Sequence, residues 1–471
     1  MVKNAGLPAQ AGQSLIEMII AIAVFTVIIT AAAMVFYGGS SSVYTQKSSG
    51  GALERARTGL EAARIIRDSG WSNLTDGIYG VKLNGTTWQL IPTNDTDGTY
   101  TRTVAISTID DDTKKIVASV SWQTEQQNTQ TVGLTTALSR RQDIVNAELL
   151  FGDWTKPRVV ASIDIGSGNE ATGIAYKNGK VYISGSAPSA AKPDFFIIDV
   201  SNPESPQLLS SLNIETGLVA VAVSGNYAYV IEKDSSDFFI IDISNASAPT
   251  KVSKLTIGGG DGRALAVTGS FVYVGHDDTV SVINVANPAI PSLVGELRVA
   301  DDINGISIFG STLYLATRDG HAELMIVNIT NRTSPTLISQ YDAEGGSENG
   351  KSVQGKNNGR VYLGRLKGGN HTNHHEFFVI NASSPTSPSF LGSLDIPSDI
   401  NALVVISNLA FLATTDTNKE FQILNIAGLP TITAYASLNL PQQASGIVFN
   451  NNYIFLSMKS NDALKVITST P

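Results

Sequence analysis

The chain opens with one long apolar run and then changes to short alternating segments. The run Leu15–Tyr37 reads LIEMIIAIAVFTVIITAAAMVFY and carries a single charge. A helix rises ~1.5 Å per residue, so this run is long enough to cross a hydrocarbon core of about 30 Å. No later segment has the same apolar density. The pattern therefore predicts one transmembrane helix over residues 15–37.

The helical pattern continues after Gly38-Gly39. Apolar side chains recur there at helical spacing, at Leu53, Ala56, Leu60, Ala63 and Ile66. The glycines are a soft point, because glycine costs about 1 kcal/mol relative to alanine inside a helix. We predict one helix over 13–67, whose second half packs its apolar stripe on a small sheet.

Alternating apolar and polar residues follow over 68–142. The segments GIYGVKLN and TTWQLI flank Asn84-Gly85, a strong signal for a hairpin turn. Three more alternating segments come next, so we expect three or four antiparallel strands. The run Asp110-Asp111-Asp112 is interpreted as a solvated turn rather than a calcium site, because no second cluster of oxygen ligands lies near it in the sequence.

From residue 158 to the end, one pattern recurs about every 43 residues. It consists of an apolar strand, an Asp or Asn, and a turn that ends in Pro, as in DFFIIDVSNPESP and DFFIIDISNASAP. The aligned polar positions are Asp199, Asp242, Asn284, Asn328, Asn381, Asn425 and Thr468. Because a turn cap is needed in every unit and a catalytic group only once, we predict that these residues cap turns.

Each repeat has room for four strands, the size of one β-propeller blade. The last repeat stops after its third strand, whereas the first is preceded by an orphan strand, Arg158–Ile165. That strand would complete the last sheet and close a ring, whereas a solenoid, the competing architecture, would leave two exposed ends. We predict a seven-bladed propeller over 158–471 that follows a linker over 143–157.

Composition removes several classes of function. Among the 471 residues, 42% are hydrophobic and 15% are charged, which is typical of a folded chain rich in turns. The net charge of −9 offers no basic field for nucleic acid. Cysteine is absent, which excludes disulfides, thiolate–zinc sites and a cysteine nucleophile.

The order of residues before the apolar run is the reverse of a secretory signal. A short polar leader with Lys3 and the small residue Gly12 precede the run, whereas a signal peptide places its cleavage site after it. Cleavage after Gly12 would remove residues 1–12 and keep the helix. Glu17 places a carboxylate in the apolar run, which costs ~2.5–3.5 kcal/mol unless it is paired or reaches the membrane interface.

The segment from Gly12 to Glu17, followed by a long apolar helix, resembles the processing site of type IV prepilins. The resemblance implies that a prepilin peptidase cleaves after Gly12 and methylates the new N-terminus at Gln13. It also implies that Glu17 pairs with the N-terminal amine of a neighbouring subunit during assembly. The family usually has Phe or Met at the first mature position, so Gln13 favours a minor pilin or a pseudopilin. The repeats over 158–471 resemble the LVIVD family of surface proteins.

Together these observations predict a multidomain fold class. The N-terminal part is expected to be a long transmembrane pilin helix with a small antiparallel sheet, an α+β pilin head. The C-terminal part is expected to be an all-β, seven-bladed propeller closed by its N-terminal strand.

Candidate chemistry is sparse. One repeat is longer than the others by about ten residues, and its loop LKGGNHTNHHE contains His371, His374 and His375. Imidazoles at this spacing are weak candidates for a late transition metal, but a Gly-rich loop does not preorganise them, so neither a metal site nor a cofactor is predicted. The insertion is the best place for a specialised contact. No motif of a known catalytic class is present, so no catalytic residue and no enzyme are predicted.

The resemblance implies a minor pilin-like subunit that inserts into a surface filament through its helix and displays the propeller for adhesion or ligand binding. Its partners would be other pilin subunits, the prepilin peptidase, the assembly machinery, the membrane before assembly, and an unknown surface, polymer or protein, but no nucleic acid. It would be a single-pass membrane protein before assembly and then extracellular. Two alternatives stay open: a pseudopilin of a type II-like secretion system, and an anchored surface enzyme of the propeller class.

Overall fold

A computed structural model describes the greater part of the chain. The described residues are 43–69, 71–85, 87–110, 113–124, 127–139, 150–166, 168–187, 189, 191–215, 217–258, 260–344, 348–368 and 374–470. They fall into two units, one ending at residue 142 and one beginning at residue 143. Gly12, Gln13, Glu17, the segment 15–37 and His371 lie outside the described residues.

The described part of the first unit is one helix beside one antiparallel sheet. Helix α1 spans Val43–Ser69, and a 3₁₀ helix spans Trp71–Asn73. The strands are β1 (Gly77–Asn84), β2 (Thr87–Pro92), β3 (Asp95–Asp97), β4 (Tyr100–Asp110), β5 (Thr113–Gln123) and β6 (Thr129–Ser139). Their order is β2-β1-β4-β5-β6, with β3 paired to β4.

Small side chains let α1 lie close to this sheet. Ala52, Ala56 and Ala63 are fully buried, together with Leu60. At Gly59 the approach is closest, because an added Cβ would lie 3.1 Å from Cδ of Arg102 and 3.2 Å from Cβ of Ala118. The helix therefore contacts the sheet through the predicted apolar stripe, although Leu53 is only half-buried.

One buried arginine joins α1 to three strands. Arg102 on β4 donates to both carboxylate oxygens of Asp95 on β3, at 2.8 and 3.1 Å, and to the Arg55 carbonyl on α1 at 3.1 Å. The Val81 N–H on β1 donates to the same Asp95 carboxylate at 2.7 Å. Charge-assisted bonds of this kind are stronger than neutral ones, so the arginine fixes the helix and the sheet edge together.

The predicted fold class is wrong in its N-terminal half. The described residues contain a single α-helix, of 27 residues, and neither a long helix over 13–67 nor an α+β pilin head is visible among them. No described helix is long and apolar enough to cross a membrane. The sheet has six strands, not three or four. Five of them match the five alternating segments of the sequence, and the sixth is the three-residue strand β3, which the Asp95 carboxylate holds and alternation does not signal. Most of the described chain is strand in four-stranded sheets, which fits the propeller half of the prediction.

The second unit begins with a lone strand, β7 (Asp153–Ile163). The strands of the first three sheets are β8 (Glu170–Lys177), β9 (Lys180–Ser186), β10 (Phe195–Asp199), β11 (Gln207–Leu212), β12 (Leu218–Ser224), β13 (Tyr227–Glu232), β14 (Asp237–Asp242), β15 (Thr250–Thr256), β16 (Gly262–Thr268), β17 (Phe271–His276), β18 (Thr279–Asn284) and β19 (Ser292–Arg298). Those of the next two are β20 (Ile303–Phe309), β21 (Thr312–Thr317), β22 (Leu324–Asn328), β23 (Thr336–Tyr341), β24 (Gly350–Gly355), β25 (Arg360–Arg365), β26 (Phe377–Asn381) and β27 (Ser389–Leu394). The last are β28 (Ile400–Ile406), β29 (Leu409–Thr414), β30 (Phe421–Asn425), β31 (Thr433–Leu438), β32 (Ala444–Asn450), β33 (Tyr453–Met458) and β34 (Leu464–Thr470).

These strands form seven antiparallel sheets of four, which we call blades 1 to 7 in chain order. Blades 1 to 6 each use four consecutive strands, from β8 to β31, and blade 7 has the order β32-β33-β34-β7. The first strand of each blade is innermost and contacts the first strand of the next blade, and β32 contacts β8. The second unit is therefore a closed ring around an axis lined by seven strands.

Apolar residues fill the spaces between blades. The second and third strands of each blade are buried on both faces, and the clusters combine side chains from neighbouring blades. Beside the closure, Trp154 on β7 is 2% exposed and packs edge-on against Phe411 of blade 6, with ring centroids 4.9 Å apart. Its Nε1 donates to Oδ1 of Asn452 at 3.0 Å. This side chain joins the closing strand to two blades.

Replacing Gly59 should separate α1 from the sheet. We expect Gly59→Leu to lower the free energy of unfolding of the first unit by about 1–3 kcal/mol, because the new side chain overfills a closed contact. Gly50 is the matched control, since nothing lies within 4 Å of a Cβ placed there in the same helix. Gly50→Leu should leave the free energy of unfolding unchanged or raise it, as measured by denaturant unfolding followed by circular dichroism. If the two variants lose the same free energy of unfolding, the close approach at Gly59 is contradicted.

Removing the Trp154 ring should weaken the closure of the propeller. Trp154→Ala is expected to lower the free energy of unfolding by about 3–5 kcal/mol, the usual cost of truncating a buried aromatic residue. Phe151→Ala is the control, because the Phe151 side chain is 54% exposed and should cost about 0.5 kcal/mol or less. Far-UV circular dichroism in denaturant measures both variants. If the two variants lose the same free energy of unfolding, Trp154 does not stabilise the closure.

Candidate functional site

Every innermost strand begins with a β-bulge at the same position. One residue of the innermost strand is left without a partner in the second strand at each bulge. The seven bulge residues are Thr172, Val219, Arg263, Asn304, Lys351, Asn401 and Ser445. Since each stands where an innermost strand begins, they surround one end of the axis, which we call the channel mouth. Bulges often re-aim side chains beside functional sites.

Four of the bulge residues bind the next blade by the same kind of hydrogen bond. The side chain donates to the backbone carbonyl that precedes the next bulge: Thr172 to Leu218 at 2.6 Å, Asn304 to Gly350 at 2.8 Å, Asn401 to Ala444 at 2.8 Å and Ser445 to Ala171 at 2.7 Å. The last of these bonds runs from blade 7 to blade 1. A polar side chain at this position is therefore a structural latch between blades.

Three bulge residues depart from this pattern, namely Val219, Arg263 and Lys351. Arg263 reaches the next blade through an ion pair with Asp302 at 2.8 Å. At blade 5 the latch is made by Ser352, which donates to the Ile400 carbonyl at 2.9 Å, so Lys351 is not needed for it. Arg263 and Lys351 are thus the two charged bulge residues that do not make the hydrogen-bonded latch, and the third exception, Val219, is apolar.

Charges of both signs meet at the channel mouth. Asp302 also forms an ion pair with Arg318 at 2.7 Å, and the carboxylate of Asp261 lies 3.6 Å from the guanidinium of Arg263. Lys351 is half-buried, and burial is the first cause that holds the pKa of its amine below the ordinary value of lysine, followed by repulsion from Lys459 and Arg263. This amine is therefore held in a place that disfavours its charge.

The insertion of blade 5 carries a second cluster of charges. Arg365, fully buried at the end of β25, donates to Glu348 and to the Ala343 carbonyl at 3.3 Å, and its guanidinium lies 3.3 Å from Glu323. Glu348 also contacts Nδ1 of His374. A buried cation needs such partners, so the cluster ties the insertion to blades 4 and 5.

Two carboxyls of this region titrate near neutrality. Burial raises the pKa of Glu323 and of Glu376 to about 7 in each case, against the hydrogen bonds that the two carboxylates accept. Those bonds come from the N–H groups of Ala343 at 2.9 Å and Ile396 at 2.8 Å. Asp194 and Glu420 accept the equivalent bonds in blades 1 and 6, which shows that an acid at this position is a repeated structural feature.

The candidate metal ligands do not come together among the described residues. His374 contacts Glu348, whereas Nδ1 of His375 lies 2.7 Å from Oγ of Ser393. Within the described part of the chain, no group of three metal-ligating side chains is present. His371, His374 and His375 therefore stay weak candidates from the sequence, and no metal site is assigned to them.

The six repeated Asp and Asn residues cap turns, as predicted, whereas Thr468 lies within β34 and its hydroxyl donates to the Asn452 carbonyl at 2.8 Å. Oδ1 of Asp199 accepts the Ser201 N–H at 2.8 Å, and Oδ1 of Asn284 accepts the Ala286 N–H at 2.9 Å. The same bond recurs at Asp242, Asn328, Asn381 and Asn425. The channel mouth is not predicted from the sequence, although a signal is present: the bulge residue near the start of each innermost strand varies in charge from unit to unit.

Two known families match parts of the chain. The prokaryotic N-terminal methylation motif matches residues 7–33. The LVIVD repeat matches residues 190–214, 219–256, 259–299 and 301–343. The prepilin-type motif and the repeat family that the sequence resembles are both confirmed, so the chain combines a prepilin-type N-terminal motif with an LVIVD-repeat propeller domain. The motif also implies processing by a prepilin peptidase and handling by pilus assembly machinery.

Three solved structures match this chain at low sequence identity. The WD40 β-propeller domain of Doa1 is 12% identical with a TM-score of 0.48, over 67% of this chain and 98% of that domain. A protein from Desulfotomaculum acetoxidans is 12% identical with a TM-score of 0.46, over 68% and 94%. A protein from Lactobacillus plantarum is 11% identical with a TM-score of 0.49, over 79% and 98%. Among curated proteins, none matches.

Neutralising Glu376 should change stability in a pH-dependent manner. In the folded state the pKa of Glu376 lies above its ordinary value of 4.5. The stabilisation that this carboxyl provides is therefore complete below about pH 4.5 and is lost as the pH rises to about 7. Glu376→Gln keeps an acceptor for the Ile396 N–H. We expect the variant to gain on the order of 2 kcal/mol over the wild type at about pH 8 and little at about pH 4. Denaturant unfolding at both pH values measures the difference; a constant difference would contradict the raised pKa.

Proposed function

We propose that this chain is a minor pilin-like subunit that inserts into a surface filament through its N-terminal helix and displays its propeller for binding. The proposal rests on one observation: an N-terminal methylation motif and a repeat propeller are present in a single chain. A processing motif of this kind delivers a subunit to a filament or a pseudopilus. The propeller is then the part that differs from an ordinary subunit and carries the specific activity.

Size favours a low copy number. The second unit, residues 143–471, is more than twice as long as the first, residues 1–142. Because every subunit of a dense filament would have to carry this ring, we propose that the chain occupies the tip or scattered positions. Before assembly it is a single-pass membrane protein, anchored by residues 15–37, and afterwards it is extracellular.

The propeller is proposed to bind rather than to catalyse. Recurring acids such as Glu323, Glu376 and Glu420 are used as structural acceptors of backbone N–H groups. The residues that break the repeat, Arg263 and Lys351, are cations that attract a ligand. Adhesion to a surface, a polymer or a partner protein is the function that these features support best.

Filament association tests the proposal directly. Sheared filaments should contain the chain at a small fraction of the amount of the main subunit, measured by quantitative mass spectrometry. The same measurement should find that the mature chain begins with a methylated Gln13. Equal amounts of the two subunits would overturn the minor role, and retention in the membrane without any filament association would favour a pseudopilin.

Gly12→Leu should block removal of the leader. The peptidase requires the small residue before the cut, so we expect the uncleaved chain to remain in the membrane and the filament fraction to fall to background. Gly6→Leu is the matched control, because Gly6 lies in the same leader and should leave processing unchanged. Mass spectrometry of the N-terminus reads the result. A Gly12→Leu chain that still begins with Gln13 would overturn the site.

A further inference from the structure

Three cations from non-adjacent blades converge at the channel mouth. Arg263 and Lys351 occupy the bulges of blades 3 and 5. Lys459 follows the second strand of blade 7, where its N–H donates to the Gln443 carbonyl at 2.9 Å, next to the innermost strand. Lys351 interacts electrostatically with both other residues. Only the axis of the ring can bring side chains of blades 3, 5 and 7 within reach of one another.

The three cations are not neutralised to the same extent. Arg263 is paired with Asp302 at 2.8 Å, as noted above. In the part of the chain that the structure describes, neither Lys351 nor Lys459 forms an ion pair. Asp399 is the carboxylate within electrostatic reach of Lys351, and its Oδ1 already accepts the Lys367 N–H at 2.8 Å. Two ammonium groups therefore repel each other at the mouth, and an anion bound between them would relieve that repulsion.

Carboxylates stand on another arc of the same mouth. Asp261 precedes β16, and its carboxylate is 46% exposed. Asp277 follows β17, and its Oδ1 accepts the Asp261 N–H at 3.0 Å. Such groups accept hydrogen bonds from hydroxyls and repel further negative charge, and the whole chain has a net charge of −9. A ligand with many anionic groups would be repelled, whereas one carboxylate beside several hydroxyls fits both arcs.

We propose that the channel mouth binds a sugar acid, a ligand with a single carboxylate and several hydroxyl groups. Lys351 and Lys459 hold the carboxylate, and Asp261 and Asp277 accept the hydroxyls. The ligand is either a free sugar acid or the acidic end of a glycan, which offers the same chemistry. This inference rests on the proposed binding function and names the ligand class for it.

Calorimetric titration of the full chain in detergent micelles tests the site. Glucuronate is the probe, glucose is its neutral partner, and a disaccharide of glucuronate linked to a neutral sugar represents the end of a glycan. Glucuronate should bind and glucose should not. Lys351→Met and Lys459→Met should each weaken the binding of glucuronate about tenfold or more, the usual loss for a hydrogen bond to a charged group. Tighter binding of the disaccharide identifies a glycan end, and tighter binding of glucuronate identifies the free acid.

Lys156→Met is the matched control, because the Lys156 side chain is 78% exposed on β7 and should leave binding unchanged. The melting temperature separates binding from folding. Removal of two repelling charges should leave the melting temperature of the double variant equal or higher, whereas a structural role of the lysines would lower it. Glucuronate should raise the melting temperature of the wild type and not that of the double variant.

Three results would overturn the proposal. One is equal binding of glucose and glucuronate, and another is unchanged affinity in the double lysine variant. The third is binding of inorganic phosphate but not of glucuronate, which would show that the mouth selects another anion. A chain that binds glucuronate but never enters filaments would refute the filament role alone, so the two failures are distinguishable.

Discussion

The pairing of β7 with β34 is the interaction on which the propeller depends. The Trp154 ring and its hydrogen-bond partner Asn452 lie 298 residues apart in the chain. Bringing such distant segments together has an entropic cost that grows slowly with length, so one well-packed strand can meet it. Without β7, blade 7 would keep three strands, Trp154 would lose its contact with Phe411, and the latch from Ser445 to blade 1 would have no fixed geometry. The channel mouth exists only because the ring is closed.

The repeat made most of the propeller predictable, whereas the N-terminal unit was predicted less well. A period of about 43 residues predicts four strands in each unit. The last unit has only three, which predicts that the strand before the first repeat completes its sheet. Nothing comparable marks β3, which exists because Asp95 binds Arg102 and the Val81 N–H. The described helix ends at Ser69 rather than at residue 67, and its predicted start at residue 13 lies outside the described residues. Contacts between side chains that are distant in sequence leave no periodic signal, so this part required the structure.

Recurrence separates structural residues from candidate functional ones. Asp199 and its equivalents cap a turn in blade after blade, and Glu376 shares its backbone acceptor role with Asp194, Glu323 and Glu420. A residue type that every blade needs cannot give one blade a separate task. The bulges differ from blade to blade: four of them use a hydroxyl or an amide for the same latch, while Val219, Arg263 and Lys351 do not. The sequence contains this contrast, but only the register of the innermost strands shows which positions to compare.

Positions released from a structural role are the positions where a propeller can acquire a binding site. At blade 5, Ser352 makes the latch to the next blade, which leaves Lys351 at the bulge without a structural duty. The same blade holds the insertion, which the buried Arg365 fixes through Glu348 and Glu323. A rigid ring holds both features at fixed positions, so the cost of ordering a binding site is already met when the propeller folds. Variation at blade 5 can therefore change what the chain binds without weakening the closure that holds all seven blades.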